Sequence, residues 1–310
     1  MSVITIDCNY VKEELASAFL MIEGEEALFV ENNTSQAVPF LLKSLDNNNI
    51  KKENVKYLII THVHLDHAGG TSALLKHLPN AIVLAHPKAA PHLINPERLV
   101  ESAKKVYGAE NFQKLYGEIE PVPKEKVRIM QDWEKIQFGS RFLKFIFTRG
   151  HANHHFVIHD SKTNGVFTGD SFGIGYPAIQ KGKKPFIFPS TTPTDFDPVE
   201  ARLSIEKILQ TGAEKVYLTH FGEWHYMKEG ADQLIDGLNE FEKLLTKVSD
   251  INFPEEQIDS YCVDNVYNYF MKEAASRDLQ GEGLEFLKFD AEINAMGISF
   301  AAKRARKKIK

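Results

Sequence analysis

Ten consecutive residues, Thr61-His62-Val63-His64-Leu65-Asp66-His67-Ala68-Gly69-Gly70, place three histidines and an aspartate within six positions and no cysteine among them. Imidazole nitrogen and carboxylate oxygen are the usual donors for zinc, manganese and iron. So dense a set is hard to explain as packing and points to a metal site. Three later segments share one form, a strand ending in a metal-ligand residue type: Phe147-Thr148-Arg149-Gly150-His151, Val166-Phe167-Thr168-Gly169-Asp170 and Tyr217-Leu218-Thr219-His220. Each is weak alone, since a Gly-His pair or a Thr-Gly-Asp turn is more often loop chemistry. Two divalent ions would carry +4 against the -2 of Asp66 and Asp170. The remaining charge favours a bound hydroxide over neutral water, because a metal lowers the pKa of its water from about 15.7 to about 7. A second ion can polarise a carbonyl or phosphoryl oxygen, and Asp66 could orient the attacking water. The same residues also allow a single ion, with Asp66 only a base or a ligand's partner beside it.

The elements that must position these groups read clearly. Val55–Ile60 is a buried strand by its β-branched and aromatic content, and paired glycines lead into a short helix within Ala68–Leu78. The histidines therefore sit on a strand-to-helix loop, where ligands collect in open α/β sheets. Val3–Asp7, Ser17–Glu23 and Ala27–Val30 read as short strands. Thr34–Leu45 reads as a helix through Val38, Leu41, Leu42 and Leu45, followed by a turn at Asp46–Asn49. Ala81–Ala85 is another buried strand, ending at His86-Pro87. The stretch of about 87–123 is mostly helical with breaks at Pro91, Pro96, Gly108 and Gly117. It is long for a connection and reads as an insertion, a lid beside the metal site.

Strands resume at Val127–Met130, Trp133–Phe138 and Arg141–Thr148, and His155–Asp160 with Gly165–Thr168 makes a hairpin. Gly173–Pro193, rich in Gly, Pro and Thr, reads as a long loop. Asp197 is placed as an N-cap, Pro198 as the first helical residue and Glu200 as the far side of a capping box. Gly212 stops that helix, and Lys215–Thr219 is a strand ending at His220. Beyond Gly230, Leu234, Leu238, Phe241, Leu245 and Val248 mark an amphipathic helix. Pro254 opens another, with Ile258, Cys262, Val266 and Tyr269 on one face. Six of the last eight residues are basic, which reads as a solvated tail. The order strands-then-helix occurs twice and suggests a doubled layered core.

Composition bounds the rest. With 310 residues, 43% hydrophobic and 25% charged, the chain can bury a sizeable core, as one large domain with an appendage or as two. The expected division is a catalytic domain at 1–228 and a helical extension at 229–310. A net charge of -5 gives no reason to expect nucleic acid. The start, Met1–Asp7, lacks the pattern of a signal peptide, and no apolar run approaches the roughly 20 residues that span a bilayer. Cys8 and Cys262 suggest no disulfide scaffold, so the expected location is a reduced cytoplasm with Cys8 as a buried thiol. His86, His154 and His155 read equally as supports of the ligands and as ordinary loop residues. His77, His92 and His159 read as surface residues. Trp224, His225 and Tyr226, just after the last ligand, could supply an aromatic wall or a proton donor.

Taken together, the motifs resemble the metallo-β-lactamase fold superfamily. Thr61 to His67 stands for its His-x-His-x-Asp-His motif, and His151, Asp170 and His220 match its later ligand motifs in order and strand context. The resemblance covers about Val3 to Tyr226. It implies an α/β fold, a four-layer αββα sandwich with a C-terminal helical extension. It implies His62, His64 and His151 on one ion, Asp66, His67 and His220 on the other, and Asp170 bridging them. The ions would be divalent, zinc first, with iron or manganese accepted by the same N/O set. Glyoxalase II-like thioesterases share the motif and a helical C-terminal region, although their basic substrate-binding residues do not align after Gly230. Quorum-signal lactonases place a tyrosine shortly after the bridging aspartate, but here the run is Ser171-Phe172-Gly173-Ile174-Gly175-Tyr176. True β-lactamases usually lack the aspartate at Asp66, nuclease members favour basic surfaces, and oxygen-reducing di-iron relatives carry glutamate where His64 stands. The resemblance thus implies a dinuclear metal-dependent hydrolase that cleaves a small ester-like bond, a thioester or lactone. The alternatives are a di-iron protein that binds or reduces oxygen and a phosphodiesterase. A small-molecule substrate, no membrane partner and a homodimer through the C-terminal helices complete the expectation.

Overall fold

A computed structural model describes residues 3–193 and 195–308. In chain order its strands are β1 (Val3–Asp7), β2 (Ser17–Glu23), β3 (Glu26–Val30), β4 (Val55–Ile59), β5 (Ile82–Ala85) and β6 (Val127–Ile129), which form one six-stranded sheet in that order. The other six, β7 (Lys135–Phe138), β8 (Arg141–Thr148), β9 (His155–Asp160), β10 (Gly165–Gly169), β11 (Lys215–Leu218) and β12 (Gly222–Trp224), form a second sheet. The helices of the first half are α1 (Val38–Asn47), α2 (Leu65–Ala68), α3 (Thr71–Leu75), α4 (Ala90–Ile94), α5 (Glu97–Tyr107) and α6 (Ala109–Tyr116). Those of the second half are α7 (Pro198–Leu209), α8 (Met227–Ser249), α9 (Ile258–Ala275) and α10 (Glu282–Lys307). None of the described helices is long and apolar enough to cross a membrane.

Two compact units result. One consists of Met1–Phe147, His154–Gly169 and Ala213–Trp224, the other of Thr148–Asn153, Asp170–Gly212 and His225–Lys310. In the first, strands β2, β3 and β5 of the first sheet are buried along most of their length, and they accordingly read as apolar runs. Along β2 and β3 successive side chains alternate between two cores. Ala18, Leu20, Ala27 and Phe29 join Val38, Leu41 and Leu45 of α1, Leu74 of α3 and Leu93 of α4. Phe19, Met21, Leu28 and Val30 meet Leu143, Phe145, Phe156, Ile158, Phe167 and Tyr217 of the second sheet. Helices, sheet and sheet are thus stacked as the resemblance implies. The parallel strands β3, β4 and β5 all end at one edge, and the segments after them carry Glu31, the histidine motif and His86.

The second unit gathers α7 to α10 around an aromatic core that includes Tyr176, Phe188, Phe241, Phe270 and Phe286. Asp197 caps α7 as expected, accepting from the amides of Val199 and Glu200. The capping box is not completed, because the Asp197 amide donates to the Gly150 carbonyl instead. Gly173–Pro193 is irregular, with one 3-10 turn at Pro177–Lys181, yet Phe186, Ile187 and Phe188 are buried within it. The basic segment is also not a solvated tail over its described length. Lys303 to Lys307 continue α10, and Arg306, 6% exposed, donates to the carbonyls of Val248, Ile251 and Phe253. It thereby satisfies carbonyls at and just beyond the C-terminus of α8, where a cation is favoured. Ile309 and Lys310 lie outside the described residues.

Candidate metal centre

In the first unit the chain leaves β4 at Ile59, and His62 to His67 follow within one turn. His64 is extended (φ -62°, ψ 145°) and caps α2, so Asp66 and His67 lie on a helical turn rather than on a plain loop. His62 is fully buried. Its Nδ1 lies 3.0 Å from the Thr61 hydroxyl and its Nε2 lies 2.8 Å from Nδ1 of His64. His220 follows β11. Its Nδ1 donates to the Leu15 carbonyl at 2.7 Å, and its Nε2 lies 3.4 Å from Oδ2 of Asp66. His67 repeats the pattern. Its Nδ1 donates to Glu31 at 3.1 Å, and its Nε2 lies 3.7 Å from the same Asp66 oxygen. These tautomers follow from the fixed acceptors at Nδ1. One ligand atom from each of Asp66, His67 and His220 lies within 4.8 Å of the others.

In the second unit His151 and Asp170 come together in the same manner. The His151 Nδ1 donates to the Ser190 carbonyl at 3.3 Å, and its Nε2 lies 3.4 Å from Oδ2 of Asp170. That oxygen also accepts from the Ser190 hydroxyl at 3.2 Å. Both side chains are nearly buried, 4% and 6% exposed. The chain can turn so sharply before His151 because Gly150 has φ +100°, and a Cβ there would meet Ala201 at 2.2–2.6 Å.

Glu31 is the residue that sequence reasoning missed. It is 1% exposed with φ +64°, and its carboxylate accepts from the Thr61 amide at 3.4 Å, from the Thr61 hydroxyl and from His67. Glu31, His62 and His67 could themselves hold an ion by distance. Glu31 is already committed to Thr61 and to the back of the His67 ring, so it orients that ring. A signal was available: Phe29-Val30-Glu31 is also a strand followed by an acid. Among the other histidines, His155 is buried with its ring centre 4.7 Å from that of His62, and His154 lies 6.1 Å from it. His86 packs on Phe147 at 4.2 Å and accepts from the Lys88 amide, which is the work of a strand end. His92 is not a plain surface residue. It is half-buried, its ring centre is 6.3 Å from that of His154, and burial first, then Arg98, lower its pKa.

The donor chemistry fits metal. A neutral imidazole whose Nδ1–H is spent on a carbonyl or carboxylate presents a lone pair at Nε2. In His67, His220 and His151 that lone pair faces a carboxylate oxygen, another acceptor. With the rings neutral, as ligands must be, each such nitrogen and oxygen, 3.4–3.7 Å apart, form a pair of donors that one divalent cation could share. This is an all-N/O set, so its chemistry does not select among zinc, iron and manganese.

Comparison with known proteins gives the family and the fold. A metallo-beta-lactamase fold-containing protein of Sulfurisphaera tokodaii, ST1585, is 28% identical over 187 residues, 58% of this chain and 63% of its own length. The aligned part thus spans less than two thirds of that relative. The crystal structure of an archaeal metallo-beta-lactamase superfamily protein, ST1585 from Sulfolobus tokodaii, superposes with a TM-score of 0.67 at 23% identity, covering 96% of this chain and 98% of that one. The metallo-beta-lactamase family protein TTHA1429 from Thermus thermophilus gives 0.64 at 16% identity, covering 96% and 91%. These two share the fold, helical C-terminal region included. The family model of the metallo-beta-lactamase superfamily matches residues 22–220, from β2 through the last histidine of the set. With the motif, the two sheets and the paired imidazoles in place, the chain belongs to the metallo-beta-lactamase superfamily.

Proposed function

We propose that the chain is a dinuclear metal-dependent hydrolase of a small ester-like bond. His62, His64 and His151 would hold one ion, Asp66, His67 and His220 the other, and Asp170 would be shared. The observation that carries this reading is the shared design of His67, His151 and His220, each pinned at Nδ1 with Nε2 turned to a carboxylate. The ions would supply water with a lowered pKa, near 7, and a Lewis acid for the carbonyl. The protein's own part is orientation and proton handling. Asp66 is 25% exposed at its side chain while His67 beside it is fully buried, so a water or substrate can reach the carboxylate. Its partly exposed carboxylate would accept a proton from that water and return it to the leaving group. Tyr176, the tyrosine nearest after Asp170, is 3% exposed and directs its hydroxyl to Asp290 at 3.4 Å. That supports a thioester ahead of a lactone.

Elemental analysis joined to a panel of thioesters, lactones and a chromogenic phosphodiester tests the reading. Wild type is expected to carry two metals and to hydrolyse an ester-class substrate, with Asp170→Ala losing both. Iron with an oxygen-sensitive spectrum and no hydrolysis would instead favour oxygen chemistry, and cleavage of the phosphodiester alone would move the substrate class.

We also propose that α10 pairs with α10 of a second copy. Phe289, Ile293, Met296 and Phe300 form an apolar stripe, 51, 36, 37 and 46% exposed. In a two-fold antiparallel pair centred on Met296, Glu285 falls opposite Lys307, so that the pair of charges flanking the apolar stripe is complementary. Sedimentation equilibrium is expected to give a dimer that Met296→Glu splits, by placing like charges on the axis. A wild-type monomer throughout the micromolar range rejects the pairing.

A further inference from the structure

The two ligands of the second unit are tied to the C-terminal helix by three consecutive residues. The Ser190 carbonyl receives the His151 Nδ1–H at 3.3 Å, and the Ser190 hydroxyl donates to Asp170 at 3.2 Å. The Thr192 hydroxyl donates to the backbone carbonyl of His151 at 2.8 Å, fixing the main chain that carries the ring. Between them, Thr191 is held from the other side. Its amide donates to Oδ1 of Asn294 at 3.0 Å and its hydroxyl to the Asn294 carbonyl at 2.8 Å. Asn294 is 1% exposed, and its Nδ2 donates to the Asp290 carbonyl, which locks the amide so that Oδ1 faces the loop.

Packing enforces the same contact. A Cβ on Gly297 would lie 2.3 Å from the Thr191 hydroxyl, 2.7 Å from its Cβ and 2.9 Å from the Thr192 amide. A Cβ on Gly237 of α8 would lie 2.8–2.9 Å from the Pro189 ring. Two helices therefore approach the segment at glycines, close enough that a methyl group would displace it.

We infer that Asn294 and Gly297 of α10 are positioning residues for the metal site, acting through Ser190, Thr191 and Thr192 on His151 and Asp170. The C-terminal helix is then part of the site's construction rather than an appendage. The inference rests on the metal-site reading of His151 and Asp170 but not on hydrolysis. Groups that orient a ligand typically contribute about 10–100-fold to metal affinity.

The test is competition with a chromogenic chelator, together with the visible spectrum of the cobalt-loaded protein, for wild type, Asn294→Ala, Asn294→Asp and Gly297→Ala. Asn294→Ala and Gly297→Ala are expected to bind one of two equivalents about 10–100-fold more weakly and to shift the cobalt bands. Asn294→Asp keeps the acceptor for the Thr191 amide but loses the bond to the Asp290 carbonyl, and is expected to restore part of the loss. Far-ultraviolet circular dichroism should be unchanged, which separates misplaced ligands from a lost fold. If Gly297→Ala does not fold, the Asn294 pair decides. Wild-type affinity and spectrum in Asn294→Ala overturn the inference, as does equal loss in Asn294→Ala and Asn294→Asp. Metal binding with this pattern but no hydrolysis leaves the inference standing and rejects only the enzymatic reading. A wild type that binds no metal overturns both.

Discussion

Asp66→Asn is expected to lower kcat/KM by about 10²–10⁴-fold, the usual worth of a positioned general base, and to reduce bound metal from two equivalents toward one. The substitution keeps the size of the side chain and removes the charge that faces Nε2 of His220 at 3.4 Å and of His67 at 3.7 Å. Glu31→Gln makes the informative contrast. Glu31 is 1% exposed, and its carboxylate is spent on Thr61 and on the far side of the His67 ring. Its loss should weaken metal by about 10–100-fold while kcat at saturating metal stays near that of wild type. Chelator titration and kcat at excess metal, measured on both variants, separate the roles. An Asp66→Asn protein with two metals and an unaltered kcat would remove Asp66 from the chemistry.

The candidate donors were legible because each follows a strand within a few residues, so a short window of sequence shows both the strand and the donor after it. Glu31 obeys the same grammar but stands alone, and its role exists only because β3 pairs with β4, where its amide meets the Ile59 carbonyl. That pairing joins residues far apart in sequence. The four-residue helix at Leu65–Ala68 is too short to leave a period, which is why Asp66 and His67 read as loop. Lys303 to Lys308 have one composition whether they are a tail or a helix end. Only the carbonyls of Val248, Ile251 and Phe253 decide for Arg306. Asn294 carries no sequence signal, since a single amide in an amphipathic helix is ordinary until its partner loop is known. Local patterns thus disclosed the candidate donors, and long-range contacts supplied what orients them.

Arg141→Ala is expected to destabilise the first unit by about 3–5 kcal/mol, the cost of leaving buried charges without their partner, against a typical total of about 5–15 kcal/mol. The guanidinium is fully buried and forks between two carboxylates. Nη1 donates to Asp160 at 2.6 Å, and Nη2 and Nε donate to Glu23 at 2.6 and 2.9 Å. Glu23 ends β2 on one sheet, while Arg141 begins β8 and Asp160 ends β9 on the other. The fork therefore ties the two sheets at the end away from Ser17 and Thr219, whose backbone bond ties them at the other. Burial alone would raise the Glu23 pKa, but the bonds from Lys162, Arg141 and Ser140 outweigh it and hold the carboxyl at about 2. A depressed carboxylate contributes stability that is complete above its unfolded pKa, about 4.3, and is lost as the pH falls through its folded value. The gap in urea midpoint between wild type and Glu23→Gln should accordingly be constant from neutral pH to about 5 and close progressively toward pH 2. A gap that persists unchanged in acid would mean that the carboxyl acts through shape rather than charge. A midpoint for Arg141→Ala equal to wild type would mean that the sheets are held by apolar packing alone.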